Sequence, residues 1–524
     1  MVARIGNIAT KRVIKRAQAF DALSSSVSGP VGGWNARDSI ADMPEEDAVT
    51  LINWVPSHTD LMVRNGFTRH ATGLTGQAET LLVYNGPTAA QMFAASSSFI
   101  YDVTSAGAVG AADVSGLSNA RFQYVNVTTA GGAFLMAVNG VDKLQGYDGT
   151  NWYVDGDASH DITGVDTADC IDINLHNNRV WLIEQNSLSA WYLPTNAIAG
   201  AAVEFPLGGI ARWGGSLIAM GTWTVDAGYG LNDMAVFITN KGEAIVYIGN
   251  DPASVATWQK VGQFQIGAPI GNRPFTKFGG DLILVNYDGL TPMAQGLQSS
   301  RLDPRVNLTD KIRGAVASAT SQYNANYGWQ CIDYPKGSLL ILNVPVSSGS
   351  SQEQYIMNTV TKAWFQCQGF NANCWALYND DVYFGSNGYV GKAFDGLSDA
   401  SANIQTSAVQ AFSYFGSRGV NKRWTMMRPI LQTNGSPMVN ASINVDYNVS
   451  PPNGSLSFTD PGYALWDDAR WDFAEWGGDP VVSQVWTGVN GIGKCAGATM
   501  QSATAGIQLR WTATDFVYEK GWYV

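Results

Sequence analysis

The sequence predicts a mainly β protein built around a β-propeller of about six to eight blades. Two observations carry this prediction: an apolar run recurs about seven times between residues 80 and 397, and turn residues lie beside or close to the runs. The runs are LLVY (81–84), AFLMAV (133–138), RVWLIE (179–184), MAVFIT (234–239), DLILVNYDG (281–289), SLLILNV (338–344) and DVYFGSNG (381–388). Their mean period is roughly 50 residues, which is in the propeller range. No run is long enough for an ordinary helix.

Residues 1–30 are predicted to form a basic N-terminal arm. The first 20 residues hold five basic residues and no acid, whereas the whole chain carries a net charge of −12. The pattern around ATKRVIKRAQAFDAL is compatible with a helix, and the Ser/Gly/Pro stretch SSSVSGPVGG that follows is predicted to be a hinge. Two interpretations stay open: a solvated tail, or an arm that docks on a neighbouring subunit.

Residues 31–67 are predicted to be an extended docking segment. Two short strands are expected in VTLINWVP and LMVRNGF, the second ending at an Asn-Gly turn, and Gly32-Gly33 permits unusual backbone angles. The segment is too short to bury a core of its own, so it must pack on something else. Candidate contacts to another subunit or to an adaptor protein in this segment are Trp34, Arg37, Asp38 and Arg64.

Residues 68–400 form the predicted propeller-like region, with hairpin signals such as Asn85-Gly86, Asn139-Gly140 and Asp288-Gly289. The stretch LTDKIRGAVASA interrupts the repeats and predicts a short helix. Residues 401–524 alternate as strands of a C-terminal, sandwich-like β domain. Within them, Trp466, Trp471 and Trp476 recur every five residues. They form either an aromatic loop packed on the sandwich edge or a contact with another subunit or partner.

Composition narrows the class of protein. Apolar residues make up 45% and charged residues only 14% of 524 residues, with 57 Gly and 18 Trp. This describes an ordered, turn-rich chain whose surface is expected to be covered in part, for example by copies of itself. An acidic body argues against general nucleic-acid binding but is compatible with a conduit to which DNA does not adhere. We predict no secretory signal, no membrane span, and five reduced, buried cysteines.

Catalytic signatures are missing from the sequence. The four His do not pair at metal-ligand spacing, and neither HExxH, GxSxG, a P-loop nor a helix-opening GxGxxG occurs. YDGTNW (147–152) differs from the Asp-box of sialidase propellers because Gly follows Asp directly. A distant carboxylate pair for glycoside hydrolysis stays possible in principle. We therefore predict a protein that is not an enzyme and takes no cofactor.

The non-repeating ends resemble tail nozzle (tail hub or tail tubular) proteins of short-tailed, podovirus-like bacteriophages. The first match is a GG-x-N-x-R-D stretch, an M-x-x-x-D-A step, an Asn before a Pro-containing turn and an Arg just ahead of a Gly. It comprises Gly32, Gly33, Asn35, Arg37, Asp38, Met43, Asp47, Ala48, Asn53, Pro56, Arg64 and Gly66. The second match is a W-D-x-A-x-W-D run formed by Trp466, Asp467, Ala469, Trp471 and Asp472. The repeats match these proteins only in their general pattern of short apolar runs and turn residues.

The resemblance implies a structural virion protein, assembled in the host cytoplasm as a hexamer below the portal and adaptor rings. It implies a tail adaptor protein above, tail fibre or needle proteins nearby, and viral DNA passing through a gated ejection channel without sequence recognition. Two hypotheses from other classes are kept beside it. One is a propeller that binds host glycan through exposed Trp and Tyr, and the other is a propeller glycosidase.

Overall fold

The computed structural model describes residues 22–157, 159–226, 231–296, 304–347, 349–452, 456 and 481–523. Strands account for 56% and helices for 5% of the residues, which confirms the mainly β class. The described part of the chain begins with five short strands that pack against later parts of the sequence. They are β1 (Ala22–Ser28), β2 (Gly33–Trp34), β3 (Asp47–Ile52), β4 (Trp54–Pro56) and β5 (Leu61–Val63).

Four units follow, each with four antiparallel strands in which every strand pairs with the next strand of its unit. Unit 1 contains β6 (Phe67–Asn85), β7 (Ala90–Ser96), β8 (Phe99–Asp102) and β10 (Val114–Ser115), with β9 (Gly107–Ala108) beside β6. Unit 2 contains β11 (Gln123–Thr129), β12 (Gly132–Val138), β13 (Gln145–Tyr147) and β14 (Trp152–Val154). Between units 2 and 3 lies β15 (Ile162–Thr163). Unit 3 contains β16 (Cys170–His176), β17 (Arg179–Glu184), β18 (Ser189–Tyr192) and β20 (Val203–Pro206); β19 (Gly200–Ala201) pairs with β15. Unit 4 contains β21 (Leu217–Asp226), β22 (Leu231–Thr239), β23 (Glu243–Gly249) and β24 (Trp258–Gln265).

Three further units complete the repeat region. Unit 5 has three strands, β25 (Phe275–Phe278), β26 (Asp281–Asn286) and β27 (Gly289–Pro292), and is followed by α1 (Met293–Gly296) and α2 (Arg313–Tyr323). Helix α2 confirms the helix expected in LTDKIRGAVASA, although it starts after a 3₁₀ turn at Asp310–Ile312. Unit 6 contains β28 (Gln330–Tyr334), β29 (Leu339–Ser347), β30 (Ser351–Asn358) and β31 (Trp364–Gln368). Unit 7 contains β32 (Cys374–Tyr378), β33 (Asp381–Gly385) and β34 (Asn387–Ala393).

The units form a propeller-like arrangement. Apolar clusters lie between successive units, for example Phe93 with Leu135, and Trp181 with Phe237. Strand β6 joins the first and last units, because its beginning pairs with β34 and its end pairs with β7. Six of the seven apolar runs lie in the second strand of their unit, which has a neighbour on both edges and is largely buried. The repeat in the sequence therefore follows the repeat in the fold.

The C-terminal strands share sheets with the rest of the chain. They are β35 (Ile404–Gln410), β36 (Val420–Thr433), β37 (Met438–Val445), β38 (Val481–Ser483), β39 (Thr487–Gly493), β40 (Ala496–Thr504) and β41 (Leu509–Tyr523). One sheet runs from unit 6 through β3 to β35, β40 and β37, and another combines β36 and β41 with β4 and β5. Their side chains meet in one core with Trp54, Trp424 and Trp511.

The beginning of the described chain differs from the hinge predicted there. Residues 22–28 form β1, which pairs antiparallel with β41 from Ala22↔Glu519 to Ser28↔Ala513. The side chain of Val27 is buried in the shared core. A Ser-rich stretch can form a strand when a long partner such as β41 offers a free edge, and that partner lies almost 500 residues away. Most of the predicted helical arm lies outside the described residues.

Candidate functional site

The matched N-terminal motif folds into a tight turn around Asn35. The Asn35 Oδ1 accepts hydrogen bonds from the backbone N–H of Arg37 and of Asp38, both at 3.0 Å. Its Nδ2 donates to the carboxylates of Asp38 and Asp47, both at 2.8 Å. Lys311 then donates to Asp47 at 2.6 Å and to the Gly32 carbonyl at 2.7 Å. The motif is thus fastened to the segment before α2.

Two glycines allow this turn to lie against its neighbours. A Cβ on Gly32 would lie 2.2 Å from a carboxylate oxygen of Asp47. Gly33 has φ +87°, and a Cβ there would lie 2.7 Å from the Trp364 carbonyl oxygen. A side chain at position 32 would disturb the packing of the turn against Asp47, and one at position 33 would push the segment away from unit 6. The spacing of the motif therefore has a structural cause within this chain.

Arg37 and Asp38 lie at the surface of this turn. Their side chains are 35% and 28% exposed and form an ion pair at 2.7 Å, and Arg37 also reaches Asp310 at 2.5 Å. Hydrogen bonds from Arg37 and Asn35 lower the pKa of Asp38 to about 2. The turn therefore presents a fixed arrangement of two carboxylates around one guanidinium. Its role in contacting another protein stays a prediction.

The other two N-terminal candidates face the interior. Trp34 is 8% exposed and packs edge-on against Tyr355, with ring centroids 5.0 Å apart. Arg64 is 1% exposed; it donates to both oxygens of Asp399 and to the carbonyls of Asn65 and Gln368. Neither side chain is presented to a second subunit in this conformation, because each is enclosed by its own chain. Burial of an arginine could not be foreseen without knowing that Asp399 lies beside it.

The three C-terminal candidates, Trp466, Trp471 and Trp476, lie outside the described residues. The described chain resumes at β38 with exposed apolar side chains: Val481 is 66%, Val482 49% and Val485 67% exposed. Trp486, which is not among the predicted contact residues, lies under the guanidinium of Arg428 at 4.7 Å from the ring centroid. Consecutive Val residues beside a Trp were a signal that could have been read from the sequence.

The propeller-like arrangement surrounds a cavity of about 430 Å³ lined by the first strand of every unit. Its walls carry amides and charged groups rather than an apolar surface, including Gln123, Asn126, Asp172, Asn174, Arg273 and Gln330. Several of these side chains bond to the backbone of a neighbouring unit. Asn126 donates to the Val83 carbonyl at 2.8 Å, and Asn174 donates to the Met220 carbonyl at 2.5 Å. These bonds satisfy inner-strand backbone groups that have no partner strand on that side.

Arg273 crosses this cavity. It precedes unit 5, yet one of its terminal nitrogens donates to Thr80 at 2.8 Å in unit 1 and to the Phe122 carbonyl at 3.1 Å beside unit 2. The other terminal nitrogen donates to Gln330 in unit 6 at 3.1 Å. The Tyr327 hydroxyl closes the same region by donating to the Glu79 carbonyl at 2.9 Å. The centre of the arrangement is therefore bridged by side chains and is not an open pore at this level.

Asp172 and His176 are buried titratable groups on β16. Burial raises the pKa of Asp172 to about 7, although its carboxylate accepts a hydrogen bond from the Met220 N–H at 2.8 Å. Burial lowers the pKa of His176 to about 4. The His176 Nε2 accepts a hydrogen bond from the Asn177 side-chain amide at 3.2 Å, the Nδ1 lies 3.4 Å from the Thr222 hydroxyl, and the ring packs edge-on against Trp258. Both groups favour their neutral forms, which suits a packed contact between units 3 and 4.

The described part of the chain bears on the sequence predictions about metal-ligand groups, cysteines and membrane-spanning helices. Within it, no three His, Cys, Asp or Glu side chains come together in a way that could hold a metal ion. The five cysteines are unpaired and buried, as expected, and burial raises the pKa of the Cys374 thiol to about 11. Among the same residues, no helix is long and apolar enough to cross a membrane.

Comparisons with known proteins give no family. No family model matches the sequence, and no curated protein matches it. The chain is similar in structure to BBS1N from its complex with ARL6DN, with a TM-score of 0.41 and 10% identity over 64% of this chain and 100% of that one. It is also similar to the SapL1 lectin, with a TM-score of 0.29 and 14% identity over 57% of this chain and 96% of the lectin chain. The similarity to PorZ of Porphyromonas gingivalis has a TM-score of 0.33 and 11% identity, and it covers 65% of this chain and 42% of PorZ. These likenesses are too weak to carry a functional argument.

Proposed function

We propose that this protein is a structural subunit of a hexameric bacteriophage tail nozzle, with a seven-bladed propeller whose blades are units 1 to 7. The observation that carries the proposal is the Asn35 turn. The resemblance to tail nozzle proteins rests in part on the GG-x-N-x-R-D stretch. Its residues form a hydrogen-bonded turn that holds Arg37 and Asp38 at the surface. A preorganised charged turn is suited to docking on an adaptor ring above the subunit, with tail fibre or needle proteins near the opposite end.

The bridged central cavity supports a scaffold role for the propeller. Because Arg273 links units 1, 5 and 6 across the cavity, DNA cannot thread the ring of blades. We infer that the ejection channel runs along the six-fold axis between subunits and that the blades lie outside it. The acidic balance of the chain would keep viral DNA from adhering to the channel wall. The protein would thus act by assembly and gating within the virion.

The experiment is a mass measurement of the purified full chain by native mass spectrometry and by light scattering over a hundredfold range of concentration. We expect a closed assembly of six chains, and images of it should show a central channel with propellers at the periphery. A monomer at every concentration, with no assembly when the adaptor protein of the same particle is added, would contradict the proposal. Exchange of Arg37 and Asp38 for Ala should weaken adaptor binding without unfolding the chain.

A further inference from the structure

A loop between units 3 and 4, residues 207–216 (LGGIARWGGS), displays an exposed tryptophan. Trp213 is 49% exposed. The backbone beneath it is fixed by Glu243, whose side chain is fully buried at the start of β23. The Glu243 carboxylate accepts from the N–H of Arg212 at 3.0 and 3.1 Å and from the N–H of Trp213 at 3.1 Å. Gln263 donates to the same carboxylate and to the Ile210 carbonyl.

Burying the Glu243 carboxylate beneath this connecting loop costs free energy. A carboxylate without a cationic partner is expensive to bury and is tolerated only when hydrogen bonds satisfy it. In the described residues Glu243 has no ion pair, and its bonds go to the two backbone N–H groups and to the Gln263 amide. The consequence is a preorganised loop that holds one aromatic ring in solvent. Preorganisation of that kind lowers the entropic cost of binding a ligand.

The surroundings of the ring are bare and basic. A Cβ on Gly209 or on Gly214 would meet nothing within 4 Å, so no other part of the chain crowds the loop at these two positions. Arg212 is exposed, and so is Lys241, whose Cγ lies 3.0 Å from the Cβ position of Gly215. Neither cation forms an ion pair with any described residue. The loop itself contains no Asp or Glu, and the Glu243 carboxylate beneath it is fully buried.

We propose that Trp213, Arg212 and Lys241 form a binding site for an acidic saccharide. The indole would stack on a sugar ring, and the two cations would bind the carboxylate or phosphate that the sugar carries. This goes beyond a nozzle function, since it gives the propeller a contact with a charged surface glycan. A single-stranded nucleic acid also offers rings and anions, but the net charge of −12 repels a polyanion along the rest of the surface.

Isothermal titration of the full-length protein tests the site with three acidic probes: hyaluronan tetrasaccharide, trigalacturonate and 3′-sialyllactose. Maltotetraose is the neutral probe and a dT₁₀ oligonucleotide is the nucleic-acid probe. We expect at least one acidic saccharide to bind with a Kd below about 1 mM. Its affinity should exceed that of maltotetraose by about tenfold or more. Absence of binding by all three acidic saccharides, or tighter binding of dT₁₀, overturns the proposal.

Variants assign the binding to the loop. Trp213→Ala should weaken binding of the acidic saccharide by about tenfold or more. In Trp213→Tyr the affinity should stay within about threefold of the parent, because a flat ring remains. Arg212→Gln should reduce the preference for the acidic over the neutral probe. Trp486→Ala is the matched control at another exposed tryptophan and should change nothing. Binding that survives Trp213→Ala, or that is lost equally in Trp486→Ala, contradicts the assignment, provided that the thermal unfolding of each variant matches the parent.

Discussion

Arg64 donates two hydrogen bonds to Asp399, at 2.8 and 2.6 Å, across 335 residues of sequence. The pair joins the connection between β5 and β6, which leads into the propeller-like region, to the loop after β34 that leaves it. The same guanidinium donates to Asn53 at 2.9 Å and lies 4.2 Å from the ring centroid of Phe370. Every N–H of the arginine therefore has a partner, which is the condition under which a buried cation is tolerated.

Arg64→Gln should destabilise the protein by about 3–5 kcal/mol, because it leaves Asp399 partly buried without its cation. Arg121→Gln is the matched control. Arg121 pairs with Glu79 at 3.1 Å but its side chain is 44% exposed, so its loss should cost at most about 1 kcal/mol. Urea unfolding of the two variants gives the comparison. Equal midpoints for the two would show that the Arg64 pair contributes no more than a surface ion pair.

Asp172 should make the stability depend on pH. Because burial raises its pKa to about 7, the folded chain keeps a proton that the unfolded chain releases above a pH of about 4. The free energy of unfolding is therefore expected to fall as the pH rises from about 4 to about 7. Above about pH 7, Asp172 should cause no further change. Asp172→Asn, which keeps an acceptor for the Met220 N–H, should be more stable than the parent by about 1–4 kcal/mol above pH 7.

Thermal unfolding of Asp172→Asn and its parent between pH 4 and pH 8 measures this difference. The two proteins should converge at the acidic end and separate as the pH rises. Asp161→Asn, at an exposed position, is the control and should follow the parent throughout. A constant offset between Asp172→Asn and the parent at all pH values would mean that the carboxyl titrates normally.

The Asn35 turn gives a prediction about the N-terminal segment. Asn35→Asp would place a third carboxylate between Asp38 and Asp47, in a site where Asn35 is 2% exposed. We expect a loss of about 2–3 kcal/mol near neutral pH, part of which returns as the pH is lowered. Asn35→Ala should lose a similar amount without that recovery. Identical pH profiles for the two variants would show that repulsion between carboxylates is unimportant there.

Local patterns predicted the strands but not their partners. A run such as RVWLIE is apolar because β17 is the second strand of its unit and has neighbours on both edges, so the period was readable from residues alone. The use of β6 in two units and the pairing of β1 with β41 depend on residues far apart in sequence. Arg64 is predicted from the sequence as a contact to another subunit or to an adaptor, because nothing near it in sequence shows that Asp399 will neutralise it. The sequence does not single out Trp213, because Glu243, which fixes the backbone beneath it, lies 30 residues further on.

Two truncations separate the basic arm from the first strand. Removing residues 1–21 leaves β1 in place, so the thermal midpoint should change by less than about 2 °C. Removing residues 1–30 takes away the seven backbone partners of β41 and uncovers the side of the core that Val27 fills. The longer truncation should therefore lower the midpoint by several degrees and promote aggregation through the exposed edge of β41.

The shorter truncation also distinguishes the two interpretations of the arm. If the arm docks on a neighbouring subunit, removing residues 1–21 should shift the assembly toward smaller masses while each subunit stays folded. We expect this result, because five basic residues on an otherwise acidic chain favour a contact with an acidic neighbour. Raising the ionic strength should weaken the full-length assembly in the same direction, since such a contact is screened by salt. An assembly whose mass is unchanged by both treatments would identify the arm as a solvated tail.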